Sequence, residues 1–225
     1  MFKMKPLIAV ALFLLGAVSG PLQAQTVRPL VQGREYDLIE PAQPTANPGK
    51  IEVIEFFSYA CPHCYHFEPV ISKWLQKLPA DVEFKRLPLS AGPAWTPTAK
   101  MFFALEAMGI EPRHHSDIFN AIHGDRSLNP NDESAISAWI AKRGVDTAKF
   151  NIAYGFTGPR LQQMQKTFAA YGVTGVPAIV VDGKYRIRNE AINSYDDLMA
   201  LTSAIIDKVR AERPKSKPAG TKARK

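Results

Sequence analysis

The chain has 225 residues, 46% of them hydrophobic and 22% charged, with two cysteines and a formal net charge of +7. That apolar content is too high for intrinsic disorder, two cysteines are too few for a disulfide-stapled miniprotein, and no repeat of solenoid length recurs. The charge suggests nucleic acid only until it is located: +2 lies in the first residues and +7 after Asp207, which leaves −2 over 25–207 and no expectation of a nucleic-acid partner.

Lys3 and Lys5 precede an apolar run over 7–18, followed by Ser19-Gly20-Pro21 and Ala24. This is the layout of a secretory signal peptide over 1–24, and its apolar run is shorter than the ~20 residues of a spanning helix. The mature protein is expected to be soluble and exported, with a retained N-terminal anchor as the alternative. A proline-punctuated lead-in over 25–49 carries one edge strand near 36–39. Residues 51–59 read as a strand, apolar on both faces toward its end. Pro62 opens a helix in which Phe67, Val70, Ile71, Trp74, Leu75 and Leu78 share helical spacing, and Pro69 within it predicts a bend. A second strand is predicted over 82–87, then helices over 97–108, 116–123, 132–142 and 147–154, the third capped by Asn131 or Asp132. A helix over 160–171 ends at Gly172, and an apolar strand from Pro177 turns at Asp182-Gly183 into a second strand. Ser194 opens a closing helix with Leu198, Leu201, Ile205, Ile206 and Val209 on one stripe. The order predicts an α/β core over 25–90 and 160–209, an all-helical insertion over 91–159 and a basic disordered tail over 210–225.

Both cysteines fall in one tetrapeptide, Cys61-Pro62-His63-Cys64. In an exported protein this spacing is a redox motif. At a helix start the first sulfur meets free backbone amides and the positive end of the helix dipole, so Cys61 is predicted to ionise easily. His63 can add a donor or a charge, and Cys64, one turn in, is the less accessible resolving sulfur. A stabilised Cys61 thiolate favours the reduced pair and makes the disulfide an oxidant. Two other readings are weaker. An inert disulfide this short removes little chain entropy. A metal site completed by His63, His66 or the His114-His115 pair lacks a second cysteine pair, so no metal is assigned. Glu55, among Val53, Ile54, Phe56 and Phe57, is costly unless paired or protonated.

The segment from Phe56 to Tyr65, with Cys61-Pro62-His63-Cys64 at its centre, resembles the active site of the DsbA-type periplasmic thiol oxidants of the thioredoxin superfamily. Gly175-Val176-Pro177 resembles that family's cis-proline loop. The resemblance implies a thioredoxin fold with an inserted all-helical domain, and a thiol:disulfide oxidoreductase that donates its Cys61–Cys64 disulfide to exported proteins. By the same resemblance Cys61 is the nucleophile, Cys64 its buried partner, and Pro62 and His63 the dipeptide that tunes the potential. Pro177 leaves the Val176 backbone free for an extended substrate. Glu55 matches an acid that relays a proton to Cys64, with Lys85 or Arg86 as its charge partner, and Glu68 matches a second family acid. The implied setting is periplasmic and monomeric. Its partners are unfolded exported proteins with free thiols and a DsbB-type quinone-linked membrane oxidase, and the disulfide takes the place of a cofactor. A reductase or isomerase on the same fold, or a periplasmic metal-handling protein, are the alternatives. Ala60 departs from the family, which often has an aromatic residue there.

Overall fold

The computed structural model describes residues 29–213; the expected signal segment and residues 214–225 lie outside that range. In chain order the elements are β1 (Tyr36–Leu38), β2 (Ile51–Phe57), α1 (Pro62–Leu75), β3 (Val82–Pro88), α2 (Thr96–Ala107) and α3 (Glu111–Phe119). A π-helical turn (Asn120–Gly124) continues α3. Then come α4 (Glu133–Ala141), α5 (Thr147–Gly155), α6 (Gly158–Ala170), β4 (Ala178–Val181), β5 (Tyr185–Ile187) and α7 (Tyr195–Glu212).

The strands form one five-stranded sheet in the order β1-β5-β4-β2-β3. Only β2 and β3 run parallel, joined by the α1 crossover; the remaining pairs are antiparallel. All seven residues of β2 are buried, because helices cover both faces of the sheet at this inner strand. On one face Ile51 and Val53 join Phe67 and Ile71 of α1 and Leu198 and Ile205 of α7. On the other Ile54 and Phe56 meet the helical block between β3 and β4, with Phe56 edge-on to Phe168 at 4.7 Å. Each such fully buried side chain contributes roughly 1.5–3 kcal/mol.

Local chemistry sets the element ends. Asp132, not Asn131, caps α4, its Oδ1 accepting from the amides of Ser134 and Ala135 at 2.8 and 3.2 Å. Ser194 caps α7 by accepting from the Asp197 amide. The β4–β5 turn has φ of +56° at Asp182 and +64° at Gly183, the pair of positive angles that Asp-Gly hairpins require. A Cβ on Gly183 would also lie 2.1 Å from the Gln43 carbonyl oxygen. α1 runs continuously through Pro69.

Two expectations are corrected. The helix expected at 116–123 begins at Glu111, with Pro112 in its first turn, and its end widens into the π-helical turn that contains His123. The tail expected to be disordered from residue 210 is still helical to Glu212. Val209 continues the buried stripe, Arg210 makes a two-pronged contact with Asp81 at 2.6 and 2.8 Å, and Arg213 reaches Asp182 at 2.6 Å. Basic residues that read as solvated in sequence have acids waiting across the fold.

Candidate active site

Cys61 is the N-cap of α1, and no side chain caps the helix there. The first-turn amides are therefore free for its own sulfur. The strand before it stops because Phe57 gives way to a turn in which the Cys61 amide donates to the Ser58 carbonyl at 3.1 Å. Cys61 is 5% exposed and Cys64 fully buried, and both are free thiols. Pro62 and His63 face solvent between them, the His63 carbonyl accepting from the Tyr195 hydroxyl at 3.0 Å.

The two sulfurs differ sharply in acidity. A hydrogen bond from the Cys64 thiol, joined by the Cys64 and His63 amides and the His63 ring, overcomes burial and brings Cys61 down to about 6. Burial, the neighbouring Cys61 sulfur and the Glu55 charge push Cys64 far up. One sulfur is thus an anion at neutral pH and the other a thiol.

Opposite the pair lies the turn before β4. The Val176–Pro177 peptide is cis, and the Val176 carbonyl oxygen is 3.6 Å from the Cys61 sulfur. The Asn189 side chain donates to the Pro177 carbonyl at 3.0 Å and steadies this turn. Among the described residues the Val176 amide has no backbone partner, so an extended chain laid beside it could pair there.

Beneath the sulfurs the expected charge partner is corrected. Glu55 pairs with Arg86, whose Nε donates to Oε2 at 2.9 Å, and not with Lys85. Parallel pairing sets Glu55 opposite Arg86 and Ile54 opposite Lys85, and strand side chains alternate between faces. Lys85 therefore emerges on the other face and meets Glu52 at 2.5 Å. Arg86 also reaches Glu68 at 3.1 Å, so Glu68 belongs to the buried site. Burial raises Glu55, with Arg86 and His115 opposing it. Burial would raise Glu68 too, but His115, Arg86 and the Ser72 hydroxyl outweigh it and hold Glu68 at about 2.

Sequence reasoning missed three members of this cluster. His115 Nδ1 lies 2.5 Å from Glu111 Oε1, and its Nε2 is 3.3 Å from Glu68 Oε2. The Tyr59 hydroxyl donates to Glu111 at 2.7 Å. The available signal was the Glu111–His115 spacing of four, which places both on one helical face. It was hidden because the helix was expected to start at Ser116. His123, in the π-helical turn, stacks on Tyr65 and lies 2.8 Å through Nε2 from the Tyr59 carbonyl, bracing the loop into Cys61. His66 is exposed. Among the described residues no group of three or more His, Cys, Asp or Glu is arranged to hold a metal, and no helix is long and apolar enough to cross a membrane.

The family described as DSBA-like thioredoxin domain matches residues 52–205. The thiol:disulfide interchange protein DsbA of Pseudomonas aeruginosa is 38% identical over 210 residues, which cover 92% of this chain and 98% of that protein. Its namesake from Azotobacter vinelandii is 39% identical, over 91% and 95% of the two chains. Among solved structures, Pseudomonas aeruginosa DsbA superposes with a TM-score of 0.74 at 41% identity, covering 80% of this chain and 94% of that one. The oxidoreductase DsbA from Xylella fastidiosa gives 0.75 at 29% identity, over 81% and 98%.

Proposed function

Since the chain belongs to the DsbA-like thioredoxin family and is a thiol:disulfide oxidoreductase, we propose that Cys61 and Cys64 are its two-electron carrier and Cys61 the sulfur that meets substrate. The supporting observation is the placement of Cys61 at an uncapped helix start, 3.6 Å from the Val176 carbonyl, with Cys64 sealed behind it. A substrate thiolate attacks Cys61 Sγ of the disulfide. The bond to Cys64 breaks, and its electron pair leaves on Cys64, which takes a proton from Glu55. A second substrate thiolate then attacks the substrate sulfur of the mixed disulfide and expels Cys61 as a thiolate. Substrate dithiol becomes disulfide, the enzyme pair becomes one thiolate and one thiol, and one proton is left over. The disulfide itself carries both electrons, so the balance calls for no further cofactor.

The substrate segment lies extended along Val176 and Pro177, and Pro62 and His63 form the exposed rim beside it. The substrates are exported proteins with free thiols, the site of action is the periplasm, and a DsbB-type membrane oxidase reclaims the electrons from the reduced monomer. Equilibration of the Cys61–Cys64 pair with glutathione buffers tests this direction of flow. A potential more positive than about −180 mV is expected, whereas one near about −270 mV makes the protein a reductase.

The acidity of Cys61 carries its own prediction. Thiolate absorbance of the reduced protein should titrate with a midpoint near 6. Because the folded value lies below that of a free thiol, about 8.5, the stabilisation of the reduced fold is complete above that value and fades as pH falls through 6. The oxidised protein lacks this titration. Reduced-minus-oxidised stability from urea melts should therefore rise across that window, and a flat difference would contradict the assignment.

A further inference from the structure

Three carboxylates and two cations are shut into one apolar pocket below the cysteine pair, and the chemistry above uses only Glu55. His115, on α3, is the least exposed cation of the set, its side chain 2% accessible. Its ring sits among Phe57, Tyr59 and Phe119 at centroid distances of 5.0, 5.1 and 5.1 Å. Both ring nitrogens face carboxylates, Glu111 at Nδ1 and Glu68 at Nε2. Nδ1 also lies 2.9 Å from the Tyr59 hydroxyl, and Nε2, though 3.3 Å from Glu68, makes no hydrogen bond, so what ties the ring to both carboxylates is the positive charge of the imidazolium.

With His115 and Arg86 both positive, the pocket holds two cations against Glu55, Glu68 and Glu111. Glu68 takes donors from Arg86, Ser72 and Ser116, and Glu111 from Tyr59 and His115. Glu55 takes one donor on Oε2, while its buried Oε1 has no hydrogen-bond partner. Three ionised carboxylates would leave an uncompensated negative charge and strand it on that oxygen. Burying such a charge is the costliest arrangement available, and one proton on Oε1 removes it.

We propose that His115 is a positioning residue for thiol exchange: its charge, clamped between Glu68 and Glu111, leaves one exchangeable proton in the pocket and places it on Glu55, beside the buried sulfur. This rests on the reading of Cys61–Cys64 as the redox pair. When a thiolate attacks Cys61 and the disulfide opens, the electron pair passes to Cys64 and the Glu55 proton follows it. When Cys64 resolves a mixed disulfide on Cys61, its proton goes to the Glu55 carboxylate, the Cys64–Cys61 bond forms, and the outgoing sulfur leaves with the electron pair of the broken bond.

The charge at position 115 therefore sets how readily Glu55 accepts that proton. Without it, Glu55, Glu68 and Glu111 share only Arg86 as a counter-charge, and Glu55 holds its proton to higher pH. Without Glu111, the two cations meet two carboxylates, and Glu55 loses its proton at lower pH. Tyr59 and the hydroxyls of Ser72 and Ser116 complete the wall but change no charge in this range.

The test loads glutathione onto Cys61 of the full-length protein and follows its release by Cys64 across pH. In His115→Gln the midpoint of the pH profile should move up by about one unit, with release at neutral pH slowed roughly tenfold. In Glu111→Gln it should move down. In a Glu55→Gln background neither substitution should shift it. Thermal melts report folding, and if His115→Gln fails to fold, the downward shift of Glu111→Gln decides alone. An unchanged profile in the folded variants overturns the inference while the redox assignment stands. Release that persists in Cys64→Ser overturns the redox assignment instead.

Discussion

Replacing Cys64 by serine should abolish oxidase turnover while leaving Cys61 able to capture disulfides. In the proposed reaction the oxidising equivalent is the bond between the two sulfurs, and serine cannot form it. Intramolecular attack by a sulfur held in place corresponds to an effective molarity of ~10⁵ M or more, so any residual turnover through solution thiols should fall by at least ~10³-fold. Cys61 should then accumulate as a mixed disulfide, visible by intact mass. The alanine variant separates the resolving role from the electrostatic one. The largest influence holding Cys61 near 6 is the hydrogen bond from Cys64. Serine keeps a donor there and alanine does not, so the Cys61 midpoint should rise in Cys64→Ala and stay nearly level in Cys64→Ser. Equal midpoints in the two variants would show that the helix start alone ionises Cys61.

Replacing Arg86 by leucine should cost about 3–5 kcal/mol, because breaking a buried ion pair strands the partner charges. Here the strand pairing leaves Glu55 and Glu68 facing a single guanidinium, at 2.9 and 3.1 Å. The cost depends on pH with a definite sign. Glu68 is held at about 2, below its ordinary value, so its stabilising contribution is present above the ordinary carboxylate range and is lost as pH falls toward 2. Glu55 is raised by burial and already carries the pocket's proton, so losing the arginine raises it further without adding to the cost at neutral pH. The Glu68 contribution makes the deficit largest near neutrality and smaller near about pH 3. Urea melts at the two pH values should show that convergence. Arg86→Lys, which keeps the charge but loses the fork, should cost less, and a deficit independent of pH would show that packing, not charge, is what leucine disturbs.

The active-site helix was legible because its signals are local: two cysteines and a proline at a helix start, followed by an apolar stripe. The hairpin was legible for the same reason, since an Asp-Gly turn needs two positive φ values that few residue pairs accept. The helical block was harder. Glu111-Pro112 gives a weak start signal beside the stronger apolar run from Ile118, so the sequence pattern puts the start of α3 too late and leaves its Glu–His pair outside the helix. The extent of α7 failed because a basic run looks solvated until Asp81 and Asp182 are brought opposite Arg210 and Arg213.

Charge partners show the limit most plainly. Lys85 and Arg86 are adjacent and chemically alike, and only the register of β3 against β2 decides which of them faces Glu55. By itself the sequence determined the cysteine pair at a helix start, the order of strands and helices and the Asp-Gly hairpin, because each is written in residues close together in the chain. Tertiary structure alone decided the pocket beneath the pair. Its members come from β2, the loop after it, α1, β3 and α3, and a proton's place among buried charges depends on distances that no stretch of chain contains.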